Sequence, residues 1–278
     1  MSSLNALLSM GAMGLIFGLS LGAASKRLAV DQDPRIDQIT AVLPGANCGG
    51  CGFAGCSALA GAIVSGDAPV TGCPVGKSAV AEKIARIMGV ECAAAEPGFA
   101  RVLCRGSREH AAELYEYRGL QDCRSAQLTG GGAKVCTYGC LGLGSCVAAC
   151  QFGAMSMGDE GLPVVDDALC TGCGKCVAAC PRQLIELRTA SESVNVVCKS
   201  HARGPEVRKA CSVGCIGCGI CARNCPEKAI DMVDNLAVID QSKCTRCGLC
   251  IEKCPQKCIV DFSVSGVAAP SSEEKAAV

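Results

Sequence analysis

The chain has 278 residues, of which 26 are cysteine, three are tyrosine and none is tryptophan. That cysteine content would suit a disulfide scaffold in a short secreted chain, but this chain is too long for that class. The 26 basic and 26 acidic residues give a formal net charge of zero, and no basic run indicates nucleic-acid binding. Because small cysteine-rich modules bury little apolar surface, we expect metal clusters to stabilise the fold.

The N-terminal segment predicts a membrane anchor. Residues 1–25 contain no charged side chain and are mostly apolar, and about 20 such residues span a bilayer. Lys26 and Arg27 follow at once, so the positive-inside rule places the body of the chain in the cytoplasm. A cleaved signal peptide is the alternative. The segment lacks the basic start of a signal peptide, and secretion would expose the cysteines to an oxidising space.

A small helical domain is predicted over residues 30–90. Its helices are expected at 34–43, near 57–65 and at 77–88, the first with proline in its opening turn. A glycine-rich stretch between the first two allows the backbone to bend around a metal cluster and to point N–H groups at sulfur. The predicted four-ligand set for this domain is Cys48, Cys51, Cys56 and Cys73. A zinc site is the alternative.

From residue 99 the sequence is an internal repeat, preceded by a predicted linker at 91–98. We divide the repeat into a first module at 99–190 and a second at 191–263. In each module a short hairpin is expected between two cysteine runs. The predicted hairpin strands are 155–157 with 162–165, and 230–233 with 236–239. Residues 264–278 have the composition of a disordered tail.

Three cysteine runs in the repeat have the spacing C-x2-C-x2-C-x3-C-P. They are Cys170, Cys173, Cys176 and Cys180; Cys215, Cys218, Cys221 and Cys225; and Cys244, Cys247, Cys250 and Cys254. In bacterial ferredoxins three cysteines of such a run hold one 4Fe-4S cluster and the fourth ligates a second cluster. A zinc ribbon is the weaker alternative, since it uses pairs of C-x2-C. By the ferredoxin rule the fourth cysteine of each run ligates the cluster of the other run. The predicted sets are then Cys215, Cys218, Cys221 and Cys254, and Cys225, Cys244, Cys247 and Cys250.

The first module departs from this pattern because Leu143 occupies the position of Cys218. Cys136 is close by in sequence and is predicted to replace the missing ligand. The predicted sets are then Cys136, Cys140, Cys146 and Cys180, and Cys150, Cys170, Cys173 and Cys176. Four more cysteines, Cys104, Cys123, Cys198 and Cys211, are predicted to hold a sixth cluster that joins the modules. The alternative is four buried free thiols. Cys92 and Cys258 are interpreted as non-ligands.

The order of these features resembles the B subunit of the Rnf complex, a membrane-bound ion-translocating ferredoxin:NAD oxidoreductase. The resemblance rests on the anchor, the motif at 47–56, the segment 115–123, the region 134–142 and the ferredoxin runs. It covers nearly the whole chain except the tail. Shorter members lack the second ferredoxin module, so this chain would be a long form. Gln151 departs from the family, which usually has proline after the fourth cysteine of the run.

The resemblance implies an α+β fold with a transmembrane helix, a small helical 4Fe-4S domain and two tandem double-cluster ferredoxin-like modules. It also implies a function, namely the relay of electrons from reduced ferredoxin to other membrane subunits in the cytoplasmic membrane of a prokaryote. Those subunits would complete the path to NAD and translocate Na⁺ or H⁺. The alternatives are an electron-transfer subunit of another membrane redox complex, or a structural metal-binding module without electron flow.

No catalytic residue is predicted. The sequence has no Gly-rich dinucleotide fingerprint after a strand and only two histidines, so one-electron transfer is the chemistry that remains. Five basic residues are candidates for a surface that docks an acidic ferredoxin. They are Arg101, Arg105, Arg108, Arg118 and Arg124. The alternative is a solvated face with scattered charges.

Overall fold

The computed structural model describes residues 2–27, 33–92 and 96–263. The predicted tail at 264–278 and the middle of the predicted linker lie outside these ranges. In chain order the described part begins with one long helix and continues with a three-helix domain. Two consecutive halves of similar architecture follow, each built from short strands and one-turn helices.

Helix α1 (Ser2–Arg27) is apolar on all sides. Its 21 residues from Leu7 to Arg27 are long and apolar enough to cross a membrane, and none of that stretch is buried against the rest of the chain. Lys26 and Arg27 form its last turn, where basic side chains interact favourably with the helix dipole. The helix therefore has the properties of the predicted anchor.

The N-terminal domain consists of α2 (Pro34–Val42), α3 (Cys56–Ser65) and α4 (Lys77–Met88), which confirms the three predicted helices. Asp33 caps α2 by accepting a hydrogen bond from the Arg35 N–H at 2.9 Å. The domain has an apolar core of its own. Its most deeply buried members are Ile39, Leu59, Ile63 and Ile84.

The first half contains two two-stranded antiparallel sheets. Strand β1 (Gly98–Val102) pairs with β4 (Ile185–Thr189), and β2 (Met155–Met157) pairs with β3 (Pro163–Val165). The β2–β3 hairpin confirms the predicted one to within a residue. The helices of the first half are α5 (Cys123–Leu128), α6 (Ser145–Ala148) and α7 (Lys175–Ala179).

The second half repeats this topology. Strand β5 (Val194–Val196) pairs with β8 (Ile259–Asp261), and the predicted hairpin is confirmed as β6 (Ile230–Val233) with β7 (Leu236–Ile239). Its helices are α8 (Gly204–Ala210), α9 (Ile220–Arg223) and α10 (Leu249–Glu252). In both halves the core mixes a few aliphatic side chains with cysteines, so sulfur occupies much of the interior.

Backbone pairing joins the two halves. Ala111 forms an isolated antiparallel bridge with Cys211, and the Ala112 N–H donates to the Ala210 carbonyl at 3.0 Å. The Arg105 guanidinium donates to the Lys257 carbonyl at 2.8 Å. The segment after β1 is thus held against the second half.

Candidate iron–sulfur sites

Of the 26 cysteines, 24 are arranged in six sets of four. Five sets each line one pocket: Cys48, Cys51, Cys56 and Cys73; Cys150, Cys170, Cys173 and Cys176; Cys123, Cys140, Cys146 and Cys180; Cys104, Cys136, Cys198 and Cys211; and Cys225, Cys244, Cys247 and Cys250. The sixth set is in the second half and consists of Cys215, Cys218, Cys221 and Cys254. Cys215 and Cys221 are buried in the core, Cys254 packs against it, and Cys218 is exposed. We name each set by its first cysteine.

The Cys48 set lies where the N-terminal domain turns sharply between α2 and α3. The Asn47 side chain holds this turn, because its Oδ1 accepts the N–H of Cys56 at 2.9 Å. The Gly50 N–H points at the Cys48 sulfur at 3.5 Å. The structure therefore brings together the four cysteines that the sequence predicts for this domain.

In the first half the structure corrects one predicted grouping. The sequence predicts Cys136 with Cys140, but the structure places Cys123 there and Cys136 in the Cys104 set. The reason is a polar contact at the start of α5. The Ser145 hydroxyl accepts the Cys123 N–H at 2.7 Å and donates to Asp122 Oδ1 at 2.9 Å. This contact places Cys123 at the pocket of Cys140, Cys146 and Cys180.

The Cys104 set joins the two halves, as the sequence predicts for a sixth set, but with Cys136 in place of Cys123. Cys104 is close to the first half, since its sulfur accepts the Cys140 N–H at 3.3 Å. Cys198, in the second half, is close to the Cys215 set, since the backbone of Cys215 hydrogen-bonds its sulfur. The four cysteines therefore lie between the Cys123 and Cys215 sets.

The second half groups its cysteines as the ferredoxin spacing predicts, with Cys225 crossing to the Cys244 run and Cys254 to the Cys215 run. Cys258, predicted to be core, is buried with its sulfur 3.6 Å from that of Cys254. Hydrogen bonds from the Cys258 thiol lower the pKa values of Cys215 and Cys254. Sequence reasoning missed this contact, which no spacing rule predicts.

Burial raises the pKa of several other thiols. Desolvation raises the pKa of Cys140 and Cys146 to about 12 and that of Cys198 to about 11. Buried thiols therefore hold their protons until a metal displaces them, because only the thiolate is a ligand.

The residues around the sets fit a 4Fe-4S cluster. Four cysteines around one pocket match the four corners of a cubane. Backbone N–H groups point at cysteine sulfurs, as in Ala100 to Cys170 at 3.5 Å and Ala229 to Cys225 at 3.4 Å, which is the hydrogen bonding that clusters use. The Thr171 hydroxyl is buried without a partner at the Cys150 pocket, where it would face a cluster. Among the described residues, no three His, Cys, Asp or Glu side chains converge on a single-ion position.

The N-terminal domain contacts the first half at a cysteine of the Cys150 set. A Cβ built on Gly50 would lie 2.6 Å from the Cys173 carbonyl oxygen and 3.0 Å from its Cβ. Glycine at this position thus allows two cysteine loops to touch, and it brings the Cys48 and Cys150 sets side by side.

The predicted basic docking surface is only partly available. Both terminal nitrogens of Arg101 bind Asp167, one at 2.8 Å, and the Arg101 side chain is only 11% exposed. Arg118 pairs with Glu116, and Arg105 binds the Lys257 carbonyl. Four of the five arginines are nevertheless exposed, namely Arg105, Arg108, Arg118 and Arg124, so the docking surface stays a prediction.

Comparisons with protein families identify iron–sulfur domains in three parts of the chain. An Fe-S cluster family matches residues 43–75, a 4Fe-4S binding domain matches 162–185, and a 4Fe-4S dicluster domain matches 214–258. Together with the cysteine sets, these matches define the class of the protein. It is an iron–sulfur electron-transfer protein with several 4Fe-4S domains.

Similar whole proteins define the family. The chain is 50% identical to the B subunit of the ion-translocating oxidoreductase complex of Methanosarcina acetivorans, over 87% of its own length and 92% of that protein. It is 52% identical to the B subunit of the proton-translocating ferredoxin:NAD(+) oxidoreductase complex of Clostridium ljungdahlii, over 86% and 84%. It is 46% identical to the Na(+)-translocating counterpart of Acetobacterium woodii, over 84% and 71%.

The chain therefore belongs to the family of Rnf complex B subunits. Other subunits of that complex are its partners. The apolar helix α1 is consistent with a membrane-anchored subunit.

Proposed function

We propose that this chain is a linear electron relay, which takes electrons from reduced ferredoxin and delivers them to membrane subunits of its complex. The observation that carries the proposal is that the six cysteine sets form one row without a break. When bound, 4Fe-4S clusters supply one-electron transfer. The chain itself holds the thiolates, excludes water and directs N–H groups at sulfur.

The order of the row follows from contacts between neighbouring sets. The Cys48 and Cys150 sets meet at Gly50, and cysteines of the Cys150 and Cys123 sets share one core. The Cys123 and Cys104 sets meet at the N–H to sulfur contact between Cys140 and Cys104. The Cys104 set then meets the Cys215 set at Cys198. The Cys215 and Cys225 sets share the core of the second half.

The outer end of the second half is the side where ferredoxin would dock. Cys247 occupies the position in its run that Cys173 occupies in the first half. Cys173 is covered by the N-terminal domain, whereas Cys247 is exposed. Arg246, next to it, is exposed as well. Its charge already acts on the carboxylates of Glu96 and Asp261, so it would contribute only part of the attraction for an acidic partner. Cys218, in the neighbouring Cys215 set, is exposed as well. Both sets of the second half therefore present a cysteine to solvent, and we propose the Cys225 set, at the end of the row, as the entry point.

The other end of the row lies close in sequence to the anchor. Helix α1 ends at Arg27 and the helical domain with the Cys48 set begins at α2. Electrons would therefore leave through the Cys48 set, toward membrane subunits, with the body of the chain on the cytoplasmic side. The relatives are named for both H⁺ and Na⁺ translocation, so either ion is compatible with this role.

Two measurements on the detergent-solubilised full chain, kept free of oxygen, test the relay. Six 4Fe-4S clusters require about 24 iron atoms per chain, four for each. Rapid mixing with reduced ferredoxin should then transfer up to about six electrons in a fast phase. Cys198→Ala interrupts the row at the junction, so only the clusters of the two sets in the second half should be reduced in the fast phase. Cys92→Ala is the matched cysteine control.

A fast phase unchanged by Cys198→Ala would contradict a linear relay. Zinc in place of iron, with no electron uptake, would establish the structural metal-binding alternative instead.

A further inference from the structure

Arg182 is a partly buried cation without an acidic partner. It follows Cys180 and Pro181 in the ferredoxin run of the first half. Its Nε donates to the Gln127 side-chain oxygen at 2.8 Å, and its terminal nitrogens donate to the carbonyls of Cys136, Gly139 and Gly131. All four acceptors are neutral. Over residues 2–27, 33–92 and 96–263, no ion pair involves Arg182.

Lys134 is a second cation of this kind, and it is more deeply buried. It is 7% exposed, it lines the pocket of the Cys104 set, and its ammonium donates to the Gly106 carbonyl. Within the described part of the chain it too forms no ion pair. Glu206 lines the same pocket but is exposed. One buried and one partly buried positive charge therefore lie near one junction, and within the described residues no carboxylate forms an ion pair with either.

The charged or titratable groups that act on Arg182 are cysteine sulfurs. Burial lowers the pKa of the Arg182 guanidinium, and the sulfurs of four cysteines oppose that shift; they are Cys136, Cys140, Cys104 and Cys180. Two of the four belong to the Cys104 set and two to the Cys123 set. The charge of Lys134 opposes the rise in pKa of Cys140 and of Cys211, one cysteine from each set. Both cations thus lie between the same two sets.

Buried charges are costly unless an opposite charge is near. Four thiolates around an oxidised 4Fe-4S core leave a net charge of about −2, and reduction adds one more negative charge. A loaded cluster would therefore supply the missing counter-charge for each cation. Because the attraction grows when the cluster gains an electron, a nearby cation stabilises the reduced form.

We propose that Arg182 and Lys134 are the counter-ions of the clusters held by the Cys104 and Cys123 sets, and that they raise the reduction potentials of these two clusters above those of the other sets. This rests on the proposed relay and deepens it. Electrons entering from the second half would collect at the junction of the two halves before they continue toward the N-terminal domain.

The repeat supplies an internal comparison. The position two residues after the fourth cysteine is Arg182 in one run and Gln256, Glu227 or Phe152 in the others. Among these four runs, only the one that ends at Cys180 has a basic residue at this position. Arg182→Gln gives this run the residue found after Cys254, its counterpart in the second half.

The test is an EPR-monitored redox titration of the loaded full chain, with iron content measured on each sample. The signals lost in Cys136→Ala and Cys123→Ala identify the two junction clusters. Arg182→Gln should lower the equilibrium constant for their one-electron reduction about tenfold, which corresponds to about 59 mV. Lys134→Met should act in the same direction. Arg182→Lys keeps the charge and should largely keep the potentials, and Arg118→Gln, at an exposed site in the same half, should change nothing.

Unshifted junction potentials in iron-replete Arg182→Gln and Lys134→Met would overturn the inference and leave the relay intact. Iron loss in both Arg182 variants would make that residue purely structural and would overturn its part in the inference. A wild-type chain without iron would refute the relay itself.

Discussion

Replacing Gly50 by alanine tests the contact that connects the N-terminal domain to the first ferredoxin-like half. The φ angle of Gly50 lies outside the left-handed region, so alanine adds no backbone strain there. Its methyl group would lie 2.6 Å from the Cys173 carbonyl oxygen, a distance that forces one of the two loops to move. Overpacking of this kind costs about 1–3 kcal/mol. That cost would shift the ratio of docked to undocked domain about 5- to 150-fold toward the undocked state.

Hydrogen exchange of the loaded, oxygen-free chain would report this change. We expect peptides covering residues 46–52 and 170–176 to lose protection together in Gly50→Ala, with the iron content unchanged. Gly61→Ala is the matched control, since its methyl group meets nothing within 4 Å in the middle of α3. It should stabilise the helix by about 0.5–1 kcal/mol. Unchanged protection of both loops in Gly50→Ala would refute the reasoning.

Three further predictions concern the cysteine sets and the core. Because Cys104 and Cys136 line one pocket, their double alanine variant should lose about four iron atoms, as either single variant does. The double variant Cys104→Ala with Cys123→Ala should lose about eight, because it removes a ligand from two sets. A loss of about eight in the first double variant and of about four in the second would restore the sequence-based grouping. Chelation of iron should unfold both ferredoxin-like halves but leave part of the helical circular dichroism signal, because the core of α2–α4 is mainly aliphatic. Complete loss of the helical signal would contradict this prediction. Leu59→Ala, at a side chain 1% exposed, should cost about 2–5 kcal/mol of unfolding free energy in denaturant titration, and a cost well under 1 kcal/mol would show that this core does not support the domain.

Local patterns predicted most of the fold. The three helices at 34–88 follow from apolar periodicity and from a proline and a glycine at their ends, and both hairpins follow from short apolar strands around a turn. The grouping of the second half follows from ferredoxin spacing alone. In each case the deciding interactions lie within a short segment or repeat a common motif.

The grouping of Cys123 and Cys136 could not be predicted in this way. Cys136 is nearer in sequence to Cys140, but a hydrogen-bonded contact between Asp122 and Ser145 brings Cys123 to that pocket instead. Such a contact joins residues that are remote in sequence and carries no spacing signature. The same holds for Arg182, whose neighbours come from separate loops, and for Arg101, whose pairing with Asp167 removes it from the predicted docking surface.

The placement of the Cys104 set also bears on how the protein matures at the ribosome. The Cys48 set is complete once residue 73 has been synthesised, and the first half can close around Cys180 soon after. The junction pocket, in contrast, draws its cysteines from positions as far apart as 104 and 211. Its iron can therefore be inserted only late, after α8 has emerged and paired with the segment following β1. A chain that ended before residue 211 would lack both this pocket and most of the second half. Its remaining sets would have no connection to the end of the row where we expect electrons to enter.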